Sequence, residues 1–494
     1  MLGRIVAPRT LAVNSSDQNS PPRSVRHTWS ESERFVPRAF VRPFQRFMQI
    51  EAAGGVILLA SAVVALVWVN SPWGDTYTEL WETRLAVELG HDLLNIDLTL
   101  VEWINDGLMT LFFFVVGLEI KRELVVGELR DPRAVALPAI AALGGMLVPA
   151  AIYLAFNAGT PTEKGWGIPM ATDIAFAVGI VALVGDRIPS GAKLFLLTLA
   201  IADDIGAIVV IAVFYTDDLS FAWLGGAVVI LLGLEVAKRM NIRAPAVYLA
   251  GGAITWFCLL ESGVHATLAG VALGLMSPVW SFYDPRRFAP NARALVDRVE
   301  NSLLDDELTS AELEVNNEAI EDLQRLAWET LSPLERIENK LTPWVAFGIV
   351  PLFALANAGV EVTGDALGSL ADNKPAMGVI FGLVVGKTVG ILSFTFLTTK
   401  LGLGKLPAYT TWRDIVGLAA TAGVGFTVAL FVAGLAFEDP LLIADAKIGI
   451  LLGSTIAGII GYTLLRSSAR TPPEGLGPSP VEAVPPEEQA QPAS

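Results

Sequence analysis

Four ionisable side chains stand inside long apolar runs. Asp203 and Asp204 are adjacent in LTLAIADDIGAIVVIAVFYT (residues 197–216), and no other charge lies between Lys193 and Asp217. Asp173 follows Thr172 in GIPMATDIAFAVGIVALVG, a few residues beyond Pro169, and Lys387 sits at the centre of GVIFGLVVGKTVGILSF. A buried lysine stays charged only with a carboxylate within about 4–6 Å, and a buried carboxylate stays ionised only with a cation beside it. Lys387 and one aspartate can therefore hold each other charged, which leaves the second aspartate to take a proton or a metal ion. Competition between H⁺ and a cation for one carboxylate is the minimal chemistry of an exchanger. Adjacent helical residues point about 100° apart, so Asp203 and Asp204 can face one cavity from two angles. Two acids this close titrate as a pair.

The elements that must position these groups are membrane-spanning helices. At about 1.5 Å per residue, the run around Asp203 and Asp204 crosses the roughly 30 Å core of a bilayer and puts both near its midplane. One charge there costs about 2.5–3.5 kcal/mol on insertion scales, so a chain that needed only to span would not carry two. The 494-residue chain is 53% apolar and 17% charged with a mean hydropathy of +0.54, the make-up of an all-α polytopic membrane protein. About twelve apolar segments predict spans, near 52–70, 99–118, 134–156, 165–183, 194–215, 221–237, 244–260, 264–280, 342–358, 376–399, 414–437 and 446–465. Several are broken by Gly and Pro, which at membrane depth is tolerated only where the freed backbone lines a cavity or meets a compensating charge. Asp173 suits helix N-termini in such a break, and Lys387 suits C-termini.

Outside the spans, residues 1–47 form an arginine-rich arm without the apolar core of a signal peptide, and 467–494 form an acidic, Pro-rich tail; both are expected to be disordered and cytoplasmic. Residues 48–466 make up the transmembrane domain. Lys and Arg gather in KRELVVGELRDPR, GDRIPSGAK, AKRMNIR, DPRRF, TKLGLGK and LLRSSAR, while the alternate loops carry only Arg84, Lys164, Lys374 and Lys447, so the positive-inside rule puts both termini in the cytoplasm of an inner-membrane protein. Residues 281–340 hold fourteen acids against seven bases at helical spacing and predict one or two amphipathic helices at the cytoplasmic face. They supply part of the net charge of −16, which is read as solvated charge and implies no nucleic-acid partner. RLAVELGHDLLNIDLTL signals a hairpin around GHD, which is expected outside the membrane and able to pair with its copy in a homodimer.

The lone Cys258 excludes an internal disulfide, and His27, His91 and His265 have no zinc spacing. No catalytic or cofactor-binding signature is present, so neither an enzyme nor a cofactor is implied. Two other classes use buried carboxylates: a passive cation channel, which would conduct without coupling to pH, and an intramembrane aspartyl protease built on Asp173 and Asp203. The protease lacks a GxGD pattern and gives Lys387 no role. Asp106, near the centre of the second expected span, is read equally as a site residue or a structural one, and His265 as a capping or interfacial histidine. Glu119, Lys121, Arg122 and Glu123, read by themselves, are an ordinary charge cluster at a helix end.

The segments NDGLMTLFFFVVGLEIKREL, GWGIPMATDIAFAVGIVALVGDRIP, LTLAIADDIGAIVVIAVFYT, SGVHATLAGVALG, FALANAGV, VVGKTVGI and GVGFTVALFVAGLAF, in this order, resemble the NhaA-type sodium/proton antiporter family over roughly residues 45–466. The resemblance implies inverted-topology repeats in which two discontinuous helices, the fourth and eleventh spans, cross at the midplane. It implies Asp203 and Asp204 as the site for Na⁺ or Li⁺ and H⁺, and Thr172 and Asp173 at the crossing with the stretch Gly423–Thr427. It implies Lys387 as the partner of Asp203 or of the helix ends, and Asp106, Glu119, Arg122, Glu123 and Glu338 in the access funnel or pH response. The activity it implies is extrusion of Na⁺ or Li⁺ against H⁺, with two H⁺ per Na⁺ and hence driven by membrane potential. Two departures bear on the pH response. ENKLTPW keeps Glu338 but has Asn339 and Thr342 where some members carry histidines, and the acidic insertion at about 290–335 is longer than the resemblance leads one to expect.

Overall fold

The computed structural model describes residues 53–468 except 90–93, 186, 217–218, 243, 282, 303–309, 363–367 and 369. The amino-terminal arm, the tail beyond Ser468, His27 and His91 lie outside the described residues.

Nearly everything described is helical. Helix α1 (Ala53–Val69) is followed at 113° by the short α2 (Gly74–Glu82). Strands β1 (Arg84–Leu89) and β2 (Leu94–Thr99) then pair antiparallel, Arg84 opposite Thr99 and Leu89 opposite Leu94, as the alternation around GHD predicts. An Arg84–Asp97 ion pair of 2.8 Å crosses the hairpin. The helices that follow are α3 (Leu100–Val125), α4 (Pro132–Asn157), a 3-10 segment Glu163–Met170 leading into α5 (Ile174–Val184), α6 (Ser190–Phe214), α7 (Phe221–Arg239), α8 (Pro245–Leu260) and α9 (Leu268–Met276). The acidic insertion forms α10 (Phe288–Ser302) and α11 (Ser310–Thr330), bridged by Arg298 and Glu318 at 3.8 Å. Helix α12 (Pro333–Asn357) opens in the insertion on a Ser332–Glu335 capping box and runs on as the ninth apolar segment. Helices α13 (Lys374–Lys400), α14 (Trp412–Thr421), α15 (Phe426–Ala436) and α16 (Pro440–Ser468) complete the chain.

Among the described residues, eight helical stretches are long and apolar enough to cross a membrane, and up to ten if each of two bent pairs counts as one span. The expected segment 264–280 shortens to α9, about 14 Å long at 1.5 Å per residue and hence half a bilayer. Its first residues are spent on turns, with Gly263 at φ 79° and His265 Nε2 bonded to the Tyr215 carbonyl at 2.5 Å, in keeping with an interfacial histidine. Lys447, expected in a loop, instead lies two turns inside α16, and Lys374 opens α13.

Polarity runs inside out. Val56, Val63, Val67, Leu232, Leu249 and Ile459 face outward, whereas Thr172, Asp173, Asp203 and Lys387 are buried. Without a hydrophobic drive between helices in lipid, close packing must come from small residues. Helices α4 and α13 meet at Gly144 and Gly390, each touching the other's carbonyl oxygen where a Cβ would stand. That contact brings Lys387, one turn before Gly390, against the segments that break the fourth and eleventh spans.

Candidate functional site

The fourth span breaks because Pro169 ends the 3-10 segment and Ala171 is extended (φ −78°, ψ 148°) before Asp173 caps α5. The eleventh breaks between Thr421 and Phe426, at a bend of 45°, and a Cβ on Gly425 would stand 2.8 Å from the Ala171 carbonyl oxygen. Only glycine lets the two interruptions touch there.

They complete each other's backbone. The Asp173 N–H donates to the Val424 carbonyl at 2.7 Å, and Thr172 Oγ1 donates to the Ala422 carbonyl at 3.0 Å. Asp173 Oδ1 accepts from the Phe176 N–H at 3.1 Å, so it caps its own helix. Its Oδ2 accepts from the Thr427 N–H at 3.0 Å and Oγ1 at 2.5 Å, capping α15 as well. One carboxylate thus serves two helix N-termini, where backbone donors and the helix dipole both favour negative charge. Asp173 thus lies where the two interruptions meet. Thr427 is the donor that sequence reasoning had only as the end of a stretch.

Lys387 follows a π-helical stretch, Gly382–Gly386, and is fully buried. Its Nζ donates to Asp203 Oδ2 at 2.6 Å and to Thr172 Oγ1 at 2.8 Å. Of the two expectations for this lysine, pairing with Asp203 is the one observed. The other oxygen, Asp203 Oδ1, is buried without a hydrogen bond. Asp204 is 7% exposed and makes no hydrogen bond or ion pair with any described residue. The adjacent carboxylates therefore differ: one is bonded to a lysine, and the other is bonded to no described residue. Asp173 is bonded to Phe176 and Thr427 and Asp203 to Lys387, and no hydrogen bond between the two aspartates is seen.

A cavity of about 640 Å³ opens at one end of α6, lined on that helix by Leu194, Leu197, Thr198 and Ile201 and opposite by Glu123, Arg130 and Asp131. These α6 positions recur at helical spacing, and Asp204, seven residues after Leu197, continues that face inward while Asp203 points toward Lys387. Beside the cavity, Arg122 Nη1 meets Glu338 Oε1 at 2.5 Å and Nη2 lies 3.6 Å from Glu123 Oε1, tying α3 to α12 across the sequence. Glu119, one turn earlier on α3, is half-buried.

Asp106 differs from its expected place. Helix α3 extends to Val125, so Asp106 lies in its first two turns, within the π-helical stretch Trp103–Leu108, and not at mid-span. Its carbonyl accepts from Trp256 Nε1 at 2.8 Å and from Thr110 Oγ1. The neighbouring Asn105 and Asn357 exchange amide hydrogen bonds of 3.3 and 2.8 Å between α3 and α12. No spacing in the sequence points to that pair, since its members are 252 positions apart.

Broken helices that satisfy one another beside unpaired charge at membrane depth define a secondary transporter, in which irregular backbone survives because it surrounds an ion path. Comparison with known proteins makes this particular. The sequence model of the family described as Na⁺/H⁺ antiporter 1 matches residues 45–465, and the chain belongs to that family. A relative from Sorangium cellulosum (strain So ce56), "Na(+)/H(+) antiporter NhaA 2", is 45% identical over 453 residues, 91% of this chain and 94% of the relative. One from Oleidesulfovibrio alaskensis, "Na(+)/H(+) antiporter NhaA", is 47% identical over 86% of this chain and 93% of its own length. Another from Myxococcus xanthus, "Na(+)/H(+) antiporter NhaA 1", is 46% identical over 88% and 94%. The family is one of transporters, not enzymes.

Proposed function

We propose that Asp203 and Asp204 are the exchange site, that the cargo is Na⁺ or Li⁺, and that two H⁺ enter for each cation expelled. The observation that carries this is the unequal state of the two adjacent acids. Ionised, Asp204 has no hydrogen-bonded or ion-paired partner among the described residues, the nearby Lys387 ammonium being bonded to Asp203, so a proton or a hard cation is needed to neutralise it. Ionised Asp203 is held by Lys387, and a cation drawing on both carboxylates would release that lysine to lose its proton. Two protons per Na⁺ follow, and net charge moves. No group of three or more Asp, Glu, His or Cys side chains among the described residues gathers around one point. This suits a cargo ion that keeps part of its water and leaves easily, and no resident metal or cofactor is invoked.

The cavity beside Glu123 and Thr198 is the cytoplasmic approach. The Arg122–Glu123–Glu338 cluster with Glu119 sets the pH response there, and Asp106 belongs to the opposite, outer approach. Rocking of one helix bundle about the crossing supplies alternating access. The protein sits in the inner membrane with both termini, the arm 1–47, the insertion 281–340 and the tail 467–494 in the cytoplasm, while residues 48–466 transport. The outer hairpin 84–99 has open strand edges and pairs with a second copy in a homodimer.

The test uses inverted membrane vesicles acidified by respiration, with a pH-sensitive dye reporting collapse of the gradient on adding NaCl, LiCl or KCl. Collapse with Na⁺ or Li⁺, absent in Asp203→Asn and Asp204→Asn, is expected. Full exchange in Asp204→Asn removes the assignment, and cation current without pH coupling favours a channel.

A further inference from the structure

Far from the crossing, an open cleft of about 520 Å³ lies where the last turn of α13 meets the first of α14, lined by Phe396, Thr399, Lys400, Lys405, Leu406 and Trp412. Neither lysine has an acidic partner: no ion pair or hydrogen bond joins either ammonium to a described residue, and no acid lines the cleft. The nearest acid in sequence, Asp414, is buried and engaged, its Oδ2 accepting from the Thr411 N–H at 2.8 Å and Oγ1 at 2.7 Å. The Lys400 ammonium lies 5.9 Å from the Phe396 ring, which is 6.0 Å from the Trp412 ring. Beside these rings Leu397, Leu401 and Leu403 are about half or more exposed and extend the apolar surface.

Two unpaired ammoniums at the edge of an outward apolar wall match a phosphodiester carrying acyl chains. A soluble anion would use the lysines and leave the wall uncovered. In the orientation given by Lys and Arg placement the cleft lies at the cytoplasmic edge, where basic pockets between helices meet acidic headgroups. We propose that this cleft binds one acidic phospholipid, its phosphate between Lys400 and Lys405 and its chains along Phe396, Leu397, Leu401 and Trp412.

The place has a mechanical meaning. The segment from Leu401 to Thr411 touches the first turn of α6, since a Cβ on Gly191 would stand 3.0 Å from both the Ala408 carbonyl oxygen and Pro407 Cβ. Gly404 likewise abuts Leu137 of α4 at 3.0 Å. A lipid seated here clamps the segment that joins α13, bearing Lys387, to α6, bearing Asp203 and Asp204.

Native mass spectrometry of the purified full chain, titrated with phosphatidylglycerol and separately with phosphatidylcholine, tests the proposal. One phosphatidylglycerol is expected to bind more tightly than the rest, and Lys400→Gln/Lys405→Gln to weaken it about 25-fold, at roughly fivefold per lysine near an anionic surface. Lys400→Arg/Lys405→Arg should keep the binding, and Arg286→Gln/Arg287→Gln, which removes the same charge from an exposed turn elsewhere, should leave it unchanged. Unaltered phosphatidylglycerol binding in the lysine double variant overturns the proposal. So does equal weakening in the arginine control, which would mean diffuse surface charge. Displacement of the lipid by glycerol 3-phosphate at equal concentration would make this a small-anion site and overturn the lipid assignment. Circular dichroism and thermal unfolding confirm that each variant is folded before titration.

Discussion

The helix crossing and the arginine–glutamate cluster at the end of α3 both gather charges from distant parts of the chain, but under opposite conditions of solvation. At the crossing, Lys387 and Asp203 are 0% and 1% exposed, whereas at the cluster Arg122 and Glu338 are 36% and 12% exposed. Removing a partner at the crossing strands a fully buried charge, but at the cluster the Arg122 guanidinium keeps contact with water. The crossing is therefore suited to hold an ion with all-or-none dependence on its residues, and the cluster to tune when that happens. Asp204 belongs to the first region by burial, yet it lacks the hydrogen bonds of its neighbours.

That exception yields the largest expected effect. Asp204→Asn should reduce exchange in vesicles to background while leaving thermal unfolding nearly unchanged, because no hydrogen bond or ion pair is lost. A large fall in stability would show Asp204 to be structural and would merge it with Asp173. The pH dependence sharpens the contrast between the two acids. Protons compete with the cation, so lowering the pH on the loading side should raise the apparent KM for Na⁺, by up to about tenfold per pH unit for each proton displaced. A limiting slope near two supports participation of the Asp203–Lys387 pair, and a slope of one confines the exchange to Asp204.

Next in size is Lys387→Met. It leaves Asp203 buried without its cation, and a loss of about 3–5 kcal/mol is expected in thermal or denaturant unfolding. Adding Asp203→Asn should recover most of that loss, because the stranded charge goes with the lysine. No recovery in the double variant would mean that Lys387 stabilises mainly through Thr172, its other partner at 2.8 Å. Smaller again is Thr427→Val, which removes one hydroxyl donor from Asp173 and keeps the N–H donor at 3.0 Å. A hydrogen bond to a carboxylate is worth about 1.5–3 kcal/mol, so a loss in that range, read by unfolding in detergent, is expected.

How much of this was legible in the sequence follows from the range of the signals. The apolar runs, the buried charges and the Gly and Pro breaks are local, and they point to the helical architecture and to a lysine paired with one aspartate, whereas the crossing of the fourth and eleventh spans entered only through the family resemblance. The antiparallel pairing of 84–89 with 94–99 was legible from alternation alone. Hydropathy could not tell that α9 forms only half a span, because its flanks are apolar yet spent on turns. It also ended the second span too early, since KREL continues the helix past the apolar run, and so misplaced Asp106. Charge ordinarily marks loops, which is why Lys447 looks like one in the sequence although the helix continues around it. The Asn105–Asn357 exchange and the union of Arg122 with Glu338 depend on helices packed across more than two hundred residues of chain, which no spacing rule reaches.

The smallest effect is expected at the cluster, where it separates tuning from transport. Arg122→Gln and Glu338→Gln should each cost less stability than Lys387→Met, because the Arg122 guanidinium keeps contact with water while the Lys387 ammonium has none. Their influence on exchange should be on its pH profile, and in opposite directions. Removing the guanidinium leaves more negative charge at the mouth of the cavity, so protons are held there to higher pH and activation moves toward alkali. Removing a carboxylate does the reverse, and activation moves toward acid. Each shift should leave maximal exchange nearly unchanged, because neither side chain bonds to Asp203, Asp204 or Lys387. If Arg122→Gln abolishes exchange at every pH, the cluster belongs to the transport site, and the division between the two regions fails. If both variants shift the profile in the same direction, charge is not what the cluster reports, and the α3–α12 connection acts through packing instead.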